Sequence, residues 1–271
     1  MAIPAMMQGL LIDLDGTLYH GNTMIDGADK LILLLRERDI PYLFVTNNST
    51  ASPETVAERL RTMGIPAVPS DVCTSAQAAA AYVAALRPGA RVFAVGESGL
   101  QEALRSEGLQ LVDEKPDYVV QGLDRSATYA RLAEAVRFIR EGAPYVLTNP
   151  DVLLPSDGGF VPGAGSIAAL LERAGGKQPI VIGKPSKILM DAALARLNVP
   201  AAGAWVVGDN PFTDIAAGHA AGCPSLLVLT GYTNADNCEQ LLEQAGCRPD
   251  EIIPDLFRLM ERIEALAVSV S

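Results

Sequence analysis

Histidine, tryptophan and long apolar runs are scarce in this chain of 271 residues, which has two histidines and one tryptophan. With only His20 and His219, there is little from which to build a zinc site. The four cysteines, Cys73, Cys223, Cys238 and Cys247, form no C-x-x-C pair, so free thiols in a reducing compartment are expected. No apolar run approaches the length of a membrane span, which argues against a membrane protein. The opening MAIPAMMQG has neither the basic segment nor the apolar stretch of a secretory signal, and a cytoplasmic location is the expectation. Positive charge is also short: 21 Lys and Arg against 32 Asp and Glu give a formal net charge of −11. That speaks against a nucleic-acid partner or an anionic membrane surface, but leaves a small anionic ligand open.

What the chain does have is a globular balance, 49% hydrophobic and 20% charged, with short β-rich runs alternating with amphipathic segments. That rhythm is the α/β signature. A first strand over 9–13 precedes a helix over 28–38, where Leu31, Leu34 and Leu35 recur at helical spacing. PYLFVTNNS gives a second strand, and Ser52 caps a helix with Pro53 at its first position and Gly64 beyond its end. An Ala-rich helix over 75–86 leads out. RVFAVG, YVVQGL and PYVLTN then read as strands of a separate α/β unit, with helices over 98–108 and 128–142. The stretch PDVLLPSDGGFVPGAGS is irregular and too long for an ordinary connection. Afterwards QPIVIGKP, GAWVVGD and PSLLVLT resume the first rhythm. The expected architecture is therefore a discontinuous core, 1–76 plus 179–271, interrupted by an inserted α/β domain over 77–178.

Within LLIDLDGTLYHG, Asp13 and Asp15 stand one residue apart where an apolar run ends. Strand periodicity turns residues i and i+2 to the same side, so the two acids share one small space. Asp and Gly also favour turns, and alone the pattern would read as one. Three further polar clusters follow apolar runs of the core: TNNS (46–49), GKP (183–185) and GDNPFTD (208–214). In an open parallel sheet, ligands bind beyond the C-terminal strand ends, where these clusters can converge. Together they offer carboxylates, amide and hydroxyl groups and one cation. Hard oxygen ligands of this kind suit Mg²⁺ with a phosphoryl group.

Motif for motif, D-x-D-G-T-L-Y, T-N-N-S, G-K-P and G-D-N-x-x-T-D resemble the haloacid dehalogenase superfamily of aspartate-nucleophile phosphatases. With TNPD…PGAGS they resemble its NagD-like, nitrophenylphosphatase-like branch. The resemblance covers nearly the whole chain. It implies a Rossmann-like, doubly wound parallel-sheet core with the insertion as a cap, and a Mg²⁺-dependent phosphatase of small phosphorylated metabolites. By this likeness Asp13 is the nucleophile, and Asp15 protonates the leaving alkoxide and then activates water. The metal is held by the carboxylates of Asp13 and Asp209 and the backbone carbonyl of Asp15. Thr46, Asn47 and Lys184 hold the phosphate, and Asp214 orients the metal's surroundings from behind. Caps of this kind often supply a dimer face, so a homodimer through the cap is one option.

Two alternatives stay open at this point: another phosphotransfer enzyme of the superfamily, such as a phosphomutase, and a receiver-like phosphoacceptor. Retention of Asp15 favours a phosphohydrolase over dehalogenase-like relatives, and chain length, the inserted domain and Asp15 speak against the receiver. GAGSIA (163–168) and VGESGL (95–100) superficially suggest nucleotide loops, but the first follows a Gly/Pro loop and the second lacks the Lys-Ser/Thr of a phosphate-binding loop. Sugar phosphates, nucleoside monophosphates, phosphoglycolate, glycerol phosphate and pyridoxal phosphate are all substrates within this branch. Specificity is expected in cap loops near Leu123, Asp124 and Leu153, with packing as the alternative for the two leucines. Leu153 stands where relatives acting on pyridoxal phosphate carry histidine, which disfavours that substrate.

Overall fold

The computed structural model describes residues 7–156 and 158–268, with side chains to residue 265. Residues 1–6 of the segment inspected for a signal, and Asp157 in the Gly/Pro stretch, lie outside the described residues. The chain divides into two compact units: Met1–Thr46, Glu54–Cys73 and Lys184–Ser271 in the first, Asn47–Pro53 and Thr74–Gly183 in the second.

The first unit is built on a six-stranded sheet in the order Glu251–Ile253, Ser225–Val228, Ala204–Gly208, Gly9–Ile12, Tyr42–Thr46, Val72–Thr74. In chain order that is 6-5-4-1-2-3, the doubly wound Rossmann sequence, as expected from the sequence. The strand Gly9–Ile12 runs parallel to both its neighbours, Ala204–Gly208 and Tyr42–Thr46. It is covered on both faces, Leu10 and Ile12 being fully buried and Leu11 nearly so, which is why it reads as an unbroken apolar run. Flanking helices pack in pairs, Ala28–Glu37 with Leu256–Val268 and Lys187–Leu197 with Ala216–Ala221.

The second unit has its own parallel sheet, ordered Ile180–Val181, Tyr145–Leu147, Tyr118–Gln121, Arg91–Val95, Gln110–Leu111. In chain order this is 5-4-3-1-2, the other common doubly wound arrangement. One expectation is corrected here. Ile180–Val181, from QPIVIGKP, pairs with Val146 and Leu147 at the edge of this sheet and not in the core sheet to which its apolar character assigned it. Two β residues cannot signal their partner strand locally. The Gly/Pro stretch is not wholly irregular either: Leu153–Ser156 and Gly159–Pro162 form an antiparallel hairpin. The segment Asn47–Pro53 is seated in the second unit, where Gly99 N–H donates to Thr50 O at 3.1 Å and Leu123 N–H to Ser49 Oγ at 3.4 Å.

Candidate active site

In the first unit the strand order reverses between Gly9–Ile12 and Ala204–Gly208, the switch point at which such sheets open a crevice. Asp13 follows the first of these strands and Asp209 the second. One carboxylate oxygen each from Asp13, Asp209 and Asp214 lie within 4.8 Å of one another. Lys184 reaches into this group, its Nζ 2.5 Å from Asp13 Oδ1 and 2.6 Å from Asp214 Oδ1, and it donates to Val45 O at 3.1 Å. Thr46 is buried at the end of the strand Tyr42–Thr46. The first unit thus brings together Asp13, Thr46, Lys184, Asp209 and Asp214, which are up to two hundred residues apart in sequence.

The chain's local geometry holds the acids in place. Asp214 lies in a single π-turn, Pro211–Ile215, capped by Asn210, whose side chain accepts from Phe212 N–H at 2.9 Å. Asp214 Oδ2 accepts Asn210 N–H at 3.1 Å, and only a glycine at 208 leaves room for it. Gly16, at φ +85, turns the chain after Asp15, and a side chain there would collide with Asp209.

Sequence reasoning missed one participant, the loop 230–233 beyond the strand Ser225–Val228. Tyr232 N–H donates to Asp209 Oδ2 at 2.6 Å, Thr233 N–H to Asp209 O at 3.2 Å, and Thr230 Oγ1 to Gly16 O at 2.8 Å. A side chain on Gly231 would collide with Asp209 Oδ2. The signal available was its place after an apolar strand, but T-G-Y-T carries no titratable acid or base beyond a tyrosine.

The electrostatics fit a cation. Three carboxylates face one ammonium, which leaves negative charge uncompensated. Burial raises Asp13 well above the usual carboxylate range; Lys184 opposes this, and Asp214 and Asp209 add to it. Asp209 is pushed up to about 7, by burial first and by the charge of Asp214 second. Burial alone would lower Lys184, but Asp13 and Asp214 outweigh it and hold the ammonium protonated. A divalent ion with a taste for hard oxygen would relieve this crowding, and the donor set fits Mg²⁺.

Asp15 is exposed and is not among the three clustered carboxylates; its backbone bridges to Tyr19. Gly16 N–H donates to Tyr19 O at 2.8 Å, tying the turn to the short hairpin Tyr19–His20 and Thr23–Met24. Arg59 stacks 4.8 Å over the Tyr19 ring and donates to Gly21 O. Partial desolvation raises Asp15, while Arg59 and His20 pull it down. A carboxyl shifted upward is suited to carrying a proton.

The remaining predicted residues belong to the second unit. Asn47 Nδ2 donates to Asp151 Oδ2 at 3.2 Å. Leu123 is buried with Leu147, Ala164 and Ala168, whereas Leu153 is 57% exposed on the hairpin. Asp124 Oδ1 accepts Ser126 N–H at 2.9 Å and Ser126 Oγ at 2.8 Å, closing a turn. GAGSIA follows a hairpin strand, not a strand of the parallel sheet, so the dinucleotide pattern lacks its context.

Family models reach the same part of the molecule. A model for haloacid dehalogenase-like hydrolases matches residues 10–110, and a second model for hydrolases of that superfamily matches 181–259. An acid sugar phosphatase of Staphylococcus saprophyticus is 43% identical over 255 residues, covering 94% of this chain and 97% of the relative. The 5'-nucleotidase YutF of Bacillus subtilis is 41% identical, covering 88% and 93%. Among solved structures, a p-nitrophenyl phosphatase from Archaeoglobus fulgidus superimposes with a TM-score of 0.90 at 36% identity, covering 94% of this chain and 99% of its own. A glycerol phosphate phosphatase from Mycobacterium tuberculosis, solved in complex with magnesium, gives 0.87 at 43% identity, covering 97% and 79%. These four relatives are named as phosphatases or as a nucleotidase. The chain belongs to the haloacid dehalogenase-like hydrolases, in their branch of Mg²⁺-dependent phosphatases that cleave phosphoric monoesters.

Proposed function

We propose that the chain hydrolyses small soluble phosphate monoesters by double displacement, with Asp13 as nucleophile. The observation that carries this is the Asp13, Asp209 and Asp214 cluster with Lys184 bridging two of its members at the switch point. Asp13, Asp209 and the backbone carbonyl of Asp15 would hold Mg²⁺, which would supply the charge neutralisation that lets a carboxylate approach a phosphate dianion. Lys184, Thr46 and Asn47 bind the phosphoryl oxygens. A carboxylate oxygen of Asp13 attacks phosphorus, and the ester oxygen departs with the proton of Asp15. The Asp15 carboxylate then takes a proton from water, whose oxygen attacks the phosphoryl group and releases Asp13. Asp214, fixed by the Asn210 amide, keeps Lys184 and the acids in register.

In this reading the second unit serves as a cap that reads the leaving group. Sugar phosphates and nucleoside monophosphates are the substrate class we favour, since acid sugar phosphatase and 5'-nucleotidase are the names of relatives above 40% identity. Assembly as a homodimer through the cap and a cytoplasmic location complete the proposal. All four cysteines are free thiols, which supports the location, and among the described residues no helix is long and apolar enough to cross a membrane.

Asp13→Asn removes the attacking charge with almost no change of volume. Turnover of 4-nitrophenyl phosphate should fall by at least about a thousandfold while the circular dichroism spectrum is kept. Activity within tenfold of the unaltered protein would sink the covalent route.

A further inference from the structure

The turn that carries Asp15 is held firmly on its inner side. The N–H groups of Thr17 and Leu18 converge on Leu14 O at 3.2 and 2.8 Å, Thr17 Oγ1 donates to Asp209 Oδ1 at 3.4 Å, and Thr230 Oγ1 donates to Gly16 O. On its outer side, Asp15 meets the short hairpin through a single bridge to Tyr19. That hairpin pairs Tyr19 with Met24 and His20 with Thr23, and Gly21 and Asn22 connect its strands, Gly21 at φ +55. Two strands of two residues each do not hold their shape alone in water. The place of Asp15 therefore depends on what steadies the hairpin.

Arg59 reaches it from a rigid support. The helix Pro53–Thr62 buries Val56, Ala57 and Leu60 and leaves Arg59 exposed. The guanidinium carbon stands 4.8 Å from the centroid of the Tyr19 ring, and Nη2 donates to Gly21 O at 2.5 Å. One planar group thus grips the hairpin at its root, through the ring, and at its tip, through the carbonyl. A guanidinium can stack and donate at once, which an ammonium does less well. A surface arginine commonly pairs with an acid of its own helix, as Arg61 does with Glu58. Arg59 turns to the hairpin instead. Asp15, Tyr19, Gly21 and Arg59 all belong to the first unit.

We propose that Arg59 is a positioning residue for leaving-group departure, bracing the hairpin so that the Asp15 carboxyl stays in reach of the departing ester oxygen. The inference rests on the reading of Asp15 as the acid that protonates that oxygen. Two other roles would suit an exposed cation: attracting an anionic substrate, or simply stabilising the fold. Both are blind to the leaving group, because every monoester carries the same phosphate. A misplaced acid is not. Nitrophenolate departs with little need of a proton, whereas an alkoxide requires one.

The test compares kcat/KM of the Mg²⁺-loaded full chain, at one pH, for 4-nitrophenyl phosphate and for two alkyl esters, glycerol phosphate and glucose phosphate. This ratio covers the steps up to leaving-group departure and omits the later hydrolysis of the phosphoenzyme. Arg59→Met keeps the length of the stem and removes the donor and the charge. It should lower kcat/KM for the alkyl esters about three- to tenfold more than for the nitrophenyl ester, the worth of one hydrogen bond. Arg59→Gln should do the same, and serves if the first variant folds poorly. Asp15→Asn should show a selective loss at least as large, and adding Arg59→Met to it should widen the gap no further. Equal losses on all three esters in Arg59→Met, or none on any, beside a selective loss in Asp15→Asn, overturn the positioning role and leave Asp15 as the acid. A gap that widens in the double variant overturns it too. Equal losses in Asp15→Asn overturn the acid reading, and this inference with it.

Discussion

Asp209 shows at the scale of one residue how the fold prepares an ion site. Its carboxylate is buried, accepts the Tyr232 N–H and faces Asp214, and its pKa is pushed up to about 7. In the unfolded chain the same group titrates near 3.8. A raised carboxyl stabilises the folded state fully below its unfolded pKa, and the benefit is lost as pH rises through the folded value. Metal-free protein should therefore become less stable between about pH 4 and pH 8. A divalent ion competes with that proton, so the stabilisation conferred by Mg²⁺ should grow over the same interval. Thermal melts near pH 5.5 and pH 8, with and without Mg²⁺, read this directly. A Mg²⁺ effect that shrinks as pH rises would place the proton elsewhere. Asp13 and Asp209, which the structure brings together, were conspicuous in the sequence as acids directly after apolar strands. Their partners Thr230, Gly231 and Tyr232 were not, because they act through a backbone amide, a hydroxyl on a carbonyl, and an absent side chain.

Elements were legible where their burial is periodic. The helix Ser75–Leu86 carries a capping box from Thr74 and Gln77, and its bounds agree with the sequence reading. The hairpin Leu153–Ser156 and Gly159–Pro162 escaped notice because its strands are largely exposed, Phe160 at 73%, and so show no inward alternation. Ile180–Val181 was assigned to the wrong sheet because its register is set by Val146 and Leu147, more than thirty residues earlier. The loop 230–233 offers the element-scale experiment. Gly231→Ala puts a methyl group against Asp209 Oδ2 and within 2.5 Å of Gly16 O. Mg²⁺ affinity by calorimetric titration should drop about tenfold or more, as when a ligand loses its support. Thr230→Ser, which keeps the hydroxyl that meets Gly16 O, should bind Mg²⁺ as the unaltered protein does. Equal losses in both variants would mean that the loop only packs.

For the whole molecule, sequence rhythm suffices to suggest two α/β units, but not that each is doubly wound with a different strand order. Nor does NNSTASP (47–53) announce that it belongs with the second unit, since the glycines that receive it, Gly99 and Gly122, look like ordinary helix and strand-end residues until the partner is in place. The carboxylates that fit Mg²⁺ all lie in the first unit. A ligand stabilises the part of a protein that binds it. Differential scanning calorimetry that resolves two transitions should show one moving upward with Mg²⁺ and the other staying in place, and Asp209→Asn should abolish that movement. Two resolved transitions rising together would contradict an ion site confined to one unit.

The burial of Lys184 among Asp13, Asp214 and Val45 O also sorts the chain's amines by reactivity. Of its five lysines, Lys30, Lys115, Lys177 and Lys187 are exposed, while Lys184 is 3% exposed. Acylation and reductive methylation need a free lone pair on nitrogen, and an ammonium held protonated between two acids does not offer one. Reagents that tag or methylate surface amines should thus decorate the other four and spare the one proposed to bind phosphate, so the enzyme should still turn over when labelled, immobilised or methylated through lysine.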